Sequence, residues 1–80
     1  MHVLVVLSTT LRDLVPDYNP KTGLALDDVR EGVTAGQLAE ACGIPVKEIK
    51  IIMINGRSQG FDAPVRDGDR VAFFPPVGGG

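Results

Sequence analysis

Asp67-Gly68-Asp69-Arg70-Val71-Ala72-Phe73-Phe74-Pro75-Pro76-Val77-Gly78-Gly79-Gly80 contains a turn, a strand and a tail in one run. Asp-Gly-Asp is turn chemistry, and Arg70 to Phe74 is rich in β-formers. Pro75 and Pro76 carry no N–H for a ladder and hold the backbone extended, so the strand is predicted to stop at Phe74. Three glycines follow, the thinnest and most pliable backbone available. No side chain follows the last carbonyl, and the reactive group expected at the tip is the α-carboxylate of Gly80. The chain is therefore divided into a domain over residues 1–74 and a flexible glycine-rich tail over residues 75–80.

Working outward from the tail, Ile51-Ile52-Met53-Ile54 reads as a strand. Asn55-Gly56 turns it tightly, and Arg57 to Phe61 offers a short return strand. At the other end of the chain, His2 to Leu7 is aliphatic and β-branched, a strand expected to be buried on both faces. Thr10 to Val15 allows one short helical turn before Pro16. Asp17 to Gly23 is an exposed loop of turn formers, and Leu24 to Val29 a second strand pairing back on the first.

The clearest helix opens at Thr34, with Gln37 completing a capping box. Ala35, Leu38, Ala39 and Cys42 fall on one face, and Gly43 ends the helix. The order is a hairpin, a crossover helix and further strands. It predicts a mixed α+β sheet of four to five strands, with the first and last strands parallel in the middle and the helix on one face. That is the β-grasp arrangement.

Composition narrows the function. Eighty residues make one small domain, and 44% hydrophobic residues argue against disorder. A net charge of −2 and scattered basic residues argue against nucleic acid. The single cysteine, Cys42, excludes a disulfide framework and a cysteine-ligated metal site within the chain, and fits a reducing cytoplasm. Met1 to Leu7 lacks the charged leader of a signal peptide, and no run approaches a membrane span. The expected location is cytoplasmic, with no membrane partner.

One helix cannot cover both faces of the sheet. If Ile52, Ile54, Val71 and Phe73 meet it, Met53 and Phe74 lie on the open face. A small chain exposes a methionine and a phenylalanine together when a partner covers them, so both are docking candidates. The blander alternatives are a covering loop or the opposite parity. Cys42 is expected to be a small core residue rather than a nucleophile. His2 is a lone surface imidazole, Asp67 and Asp69 are turn residues without the spacing of a calcium loop, and Asp27-Asp28 is a solvated pair. Lys47, Lys50, Arg57, Arg66 and Arg70 are candidates for an acidic partner rim.

Asn55-Gly56, Asp67-Gly68-Asp69, Thr34-Ala35-Gly36-Gln37-Leu38 and the terminal Phe74-Pro75-Pro76-Val77-Gly78-Gly79-Gly80 resemble the MoaD/ThiS family of ubiquitin-like sulfur carriers. The resemblance covers most of the chain, and its specific part is the tail. The Pro-Pro and the length resemble the small subunit of molybdopterin synthase, MoaD, more than the thiamine carrier. Gly78 stands where that branch usually has alanine or serine, and the segment 17–31 is longer than in that branch.

The resemblance implies a carrier that is not itself an enzyme, with no catalytic, cofactor-binding or metal-binding residue of its own. A ubiquitin-activating-type enzyme (MoeB/ThiF-like) spends ATP to adenylate the Gly80 carboxylate, and a sulfur donor converts it to a thiocarboxylate. A sulfur-acceptor enzyme, the large subunit of molybdopterin synthase (MoaE-like), then takes the sulfur. Gly78 and Gly79 are expected to thread into each partner's active site, with docking by Met53, Phe74, Pro75, Pro76 and Val77. Extended, the five residues from Pro75 to Gly79 reach roughly 15–18 Å. Thiamine or cysteine synthesis, a ubiquitin-like protein modifier, and a docking module with an inert tail are the alternatives.

Overall fold

A computed structural model describes residues 1–76 of the chain. The strands are β1 (Val3–Leu7), β2 (Leu24–Leu26), β3 (Ile51–Ile54), β4 (Arg57–Gln59) and β5 (Arg70–Phe74), and the helix is α1 (Ala35–Ala41). They form one sheet in the order β2-β1-β5-β3-β4. β1 and β5 run parallel at its centre, and the other three pairings are antiparallel. This is the expected β-grasp topology, with five strands.

Period two decides the core. Val3, Val5 and Leu7 of β1, Ile52 and Ile54 of β3, and Val71 and Phe73 of β5 are buried, together with Ala35, Leu38 and Ala39 of α1. Phe73, Leu7, Leu38, Ile44, Val5 and Val71 are among the largest fully buried side chains. The helix is closed at both ends. Thr34 Oγ1 accepts from the Gln37 N–H at 3.2 Å, and Gln37 Oε1 accepts from the Thr34 N–H at 3.0 Å. The N–H groups of Ala35 and Gly36 donate to the carbonyls of Ala63 and Phe61, each at 2.9 Å. The loop after β4 therefore satisfies first-turn donors that a short helix would otherwise leave to water. Gly43, at φ 84°, takes the left-handed conformation just past the helix.

Besides β1, which begins at Val3 rather than His2, three segments differ from the sequence reading. The segment after β1 is a 3-10 helix over Thr9–Leu14, longer than the single turn expected. It buries Leu11 at 1% exposure and leaves Leu14 exposed. The second strand ends at Leu26, not Val29. Val29 N–H donates to the Met1 carbonyl and the Met1 amino group to the Val29 carbonyl. That pairing lies one residue beyond the β1–β2 register, so Asp27-Asp28 forms a bulge on this edge strand. The return strand β4 stops at Gln59, short of Phe61. A further 3-10 helix, Val46–Glu48, was not anticipated.

The long tip of the β1–β2 connection folds back to finish the strand that β2 leaves uncovered. Leu7 lies past the last β2 partner. Its N–H donates to the Tyr18 hydroxyl at 2.8 Å, and its carbonyl accepts from Arg12 Nε at 3.0 Å. Those side chains take the place of a neighbouring strand.

Candidate functional site

Two turns and the start of the chain are tied into one polar cluster beneath the central strand. Asn55 and Gly56 both have positive φ, 52° and 82°, the geometry of a tight two-residue hairpin turn. Asn55 Nδ2 donates to Asp69 Oδ1 at 2.8 Å, and Asn55 Oδ1 accepts from the Arg70 N–H at 2.9 Å. Asp69 Oδ2 accepts from the Arg66 N–H at 2.8 Å, and Asp67 Oδ1 from the His2 N–H at 2.7 Å. The carboxylates of Asp67 and Asp69 thus close loops. Among the described residues, no three His, Cys, Asp or Glu side chains converge to hold a metal ion. Replacing Asn55 by alanine removes both side-chain bonds and forces a non-glycine, non-asparagine residue to positive φ. The expected cost is about 1–3 kcal/mol in urea denaturation, with the fold retained.

The face of the sheet away from α1 is apolar and, among the described residues, largely half-buried. Register sets Val6, Ala72 and Met53 side by side in one row, and Phe74 beside Ile51 in the next. Ala72 is buried between its larger neighbours, Met53 and Phe74 are half-buried, and Ile51 is 41% exposed. Met53 and Phe74 therefore share the open face, as period two required, and they sit on a diagonal rather than directly opposite. Leu4 and Val6 complete the face and are half-buried, so β1 is fully buried on one side only. The same period-two rule applied to β1 would have found them. The aliphatic run instead suggested a strand covered on both faces.

Pro75 follows Phe74 half-buried, and Pro76 is exposed. The chain thus leaves the end of β5 at the margin of the apolar face. Val77, Gly78, Gly79 and Gly80, the other expected contacts, lie outside the described residues. Of the basic candidates, Arg57 pairs with Ile54 and so shares the helix side, whereas Arg70 lies beside Leu4 on the open side.

Cys42 lies half-buried against the core, at the C-terminal end of α1. Burial pushes its thiol above the ordinary value of 9.0. A protonated thiol is a poor nucleophile, which supports a packing role. The unfolded chain releases this proton first. The thiol's contribution to stability is therefore complete below the ordinary range and declines as pH rises through it toward the raised value. Alkylation of Cys42 by iodoacetamide at pH 8 is expected to run at least tenfold slower in the folded protein than in urea, measured by intact mass. A groove of about 810 Å³ lies between β2 and α1, and Cys42 helps to line it. It opens on the helix side and is separate from the open face. His2 pairs with Asp27 at 3.0 Å on the surface, where both side chains are more than 70% exposed. Among the described residues, no helix is long and apolar enough to cross a membrane.

This geometry has close counterparts among solved structures. Small archaeal modifier protein SAMP1 from Haloferax volcanii superposes with a TM-score of 0.69 over 100% of both chains at 22% identity. The Haloferax volcanii HVO 2177 protein gives 0.75 over 100% of this chain and 87% of its own at 24% identity. Urm1 from Trypanosoma brucei gives 0.66 over 99% of this chain and 95% of its own at 20% identity. At these identities the likeness establishes the fold. A search of curated proteins yields no significant match. The family model described as Mut7-C ubiquitin matches residues 1–78, which includes the sheet, the helix, the open face and the start of the glycine tail, and the chain belongs to that ubiquitin-like family.

Proposed function

We propose that this protein is a sulfur carrier that acts through the Gly80 carboxylate, as a cosubstrate rather than an enzyme. The observation that carries the reading is the junction at Phe74-Pro75. The central strand ends beside an apolar face, and a stiff Pro-Pro stem leads from that margin into the Gly-Gly-Gly sequence. A carboxylate at neutral pH is a poor electrophile, so an adenylating partner of the ubiquitin-activating type must first join it to AMP, releasing pyrophosphate from ATP. Hydrosulfide or an equivalent donor then forms a C–S bond while the C–O bond to AMP breaks. The product is a thiocarboxylate, nucleophilic at sulfur and able to pass it to an acceptor enzyme.

The division of labour follows from the residues. Met53, Phe74 and their neighbours on the open face supply apolar docking area. Pro75 and Pro76 hold the stem extended and reduce the entropy lost when a partner takes it up. Gly78 and Gly79 present the least cross-section to a narrow channel. The acceptor reaction proposed is dithiolene formation on a pterin precursor, with a synthase large subunit as partner, on the strength of the Pro-Pro stem. The test is reconstitution from purified adenylating enzyme, ATP, sulfide and this protein, followed by addition of the large subunit and the precursor. Dithiolene formation is the expected result. A thiocarboxylate that forms but is never consumed there would place the carrier in thiamine or cysteine synthesis instead.

A second reading, attachment to lysines of other proteins, draws support from the likeness to small archaeal modifier protein 1 of H. volcanii. The same adenylate serves both routes. Lysines of cellular proteins that carry the tryptic remnant Val71 to Gly80, lost in a strain lacking this chain, would support the modifier.

A further inference from the structure

A strand face built to be covered by an apolar partner should carry no charge that the partner leaves unanswered. Only two residues of the five strands are charged, Arg57 and Arg70. Register puts Arg57 on the helix side, across from Ile54, and Arg70 on the open side, next to Leu4 and two positions from Ala72. Arg70 is exposed. Among the described residues its guanidinium makes no hydrogen bond and no ion pair, since the sole pair found is His2 with Asp27. Asp69, its neighbour in sequence, has both carboxylate oxygens engaged, by Asn55 and by the Arg66 N–H. The charge of Arg70 therefore stands unneutralised at one end of the apolar face, and the tail departs from the other.

Burying an unpaired guanidinium beneath an apolar partner costs more than the contact gains, whereas an Arg–carboxylate pair at the same place gives a charge-assisted, two-pronged bond and steers encounter. Four residue steps along the strand lead from Arg70 to Phe74, about 13 Å at the rise of an extended chain. We infer that the adenylating enzyme that takes up this tail presents a carboxylate about 13 Å from the mouth of its channel, and that Arg70 on the open face pairs with it. The inference rests on the carrier reading. It adds the chemistry of the partner surface and selects one basic residue from the five that the sequence offered.

The experiment measures ATP–pyrophosphate exchange by the adenylating enzyme of the same genome, with wild type, Arg70→Glu, Arg70→Met and Arg57→Glu as substrates over a series of NaCl concentrations. Thermal melts establish that each variant is folded, and Arg70→Met provides a neutral variant if the added acid beside Asp69 disturbs the turn. At low salt, kcat/KM should fall about thirtyfold for Arg70→Glu and about tenfold for Arg70→Met, through KM with kcat unchanged, and the deficit should shrink as salt rises. Arg57→Glu should stay within about twofold of wild type. Equal behaviour of Arg70→Glu and Arg57→Glu, or a deficit independent of salt, overturns the inference while wild-type exchange keeps the carrier reading intact. Absence of exchange by wild type with every adenylating enzyme of this type in the genome overturns both.

Discussion

Gly79→Val is expected to abolish thiocarboxylate formation while the circular dichroism spectrum and the melting temperature remain those of wild type. The substitution lies five residues beyond Phe74, where β5 ends, so no ladder bond and no core contact of the described fold depends on it. Its effect must come from the path of the chain into a partner. In the proposed carrier the reacting carbonyl belongs to Gly80, and the residue before it follows that carbonyl into the site where ATP is cleaved. A β-branched side chain widens the chain at that point and removes much of the backbone freedom that glycine provides. Val77→Ala, farther from the reacting group, should retain activity within about threefold, because it shrinks a side chain and adds no width. Full thiocarboxylation of Gly79→Val would show that no narrow channel is involved.

Phe73 and Phe74 are neighbours in sequence and are expected to fail in opposite ways. Phe73 is fully buried opposite Leu7 and Ile52, on the face that meets α1. Truncation to alanine removes a ring from a filled core and should cost about 3–5 kcal/mol. Domains are stable by about 5–15 kcal/mol, and one this small lies near the lower end. Phe73→Ala should therefore be largely unfolded at modest urea concentrations. Phe74 is half-buried on the open face beside Ile51. Phe74→Ala should cost about 1 kcal/mol or less in stability but reduce activation by the adenylating enzyme about tenfold or more, because anchoring aromatics dominate interface energetics. Chemical denaturation with activation kinetics on the two variants separates the effects. Equal stability losses would show that the faces have been assigned wrongly.

That pair illustrates which parts of the molecule the residues announce. The alternation of β3 and β5 was legible, and since one helix covers one face it left two parities, of which the structure has the one with Ile52, Ile54, Val71 and Phe73 buried. The cap at Thr34 and the stop at Gly43 were legible because they are local, using contacts within a few residues. The tight turn at Asn55-Gly56 was legible for the same reason. What the turn does was not. Asn55 meets Asp69 and Arg70 across 14 and 15 positions, and only the sheet register brings them together. The bulge at Asp27-Asp28 was hidden because it depends on where Met1 pairs. The 3-10 helix after β1 was underestimated because that segment is held in place by contacts outside it, Tyr18 and Arg12 binding the Leu7 backbone. The candidate site was only half visible. Met53 and Phe74 followed from alternation, and the same rule reaches Ile51, Val6 and Arg70, but which of these stand side by side is set by the order of the strands.

The central claim is that the function of this chain resides in the carboxylate of Gly80. Intact-mass measurement of the untagged protein, after incubation with ATP, sulfide and its adenylating enzyme, tests it most directly. The account predicts a species heavier by the difference between one sulfur and one oxygen, located in the terminal peptide that contains Gly80 and absent without ATP. Unchanged mass under conditions where the enzyme is shown to be active on another carrier would contradict it.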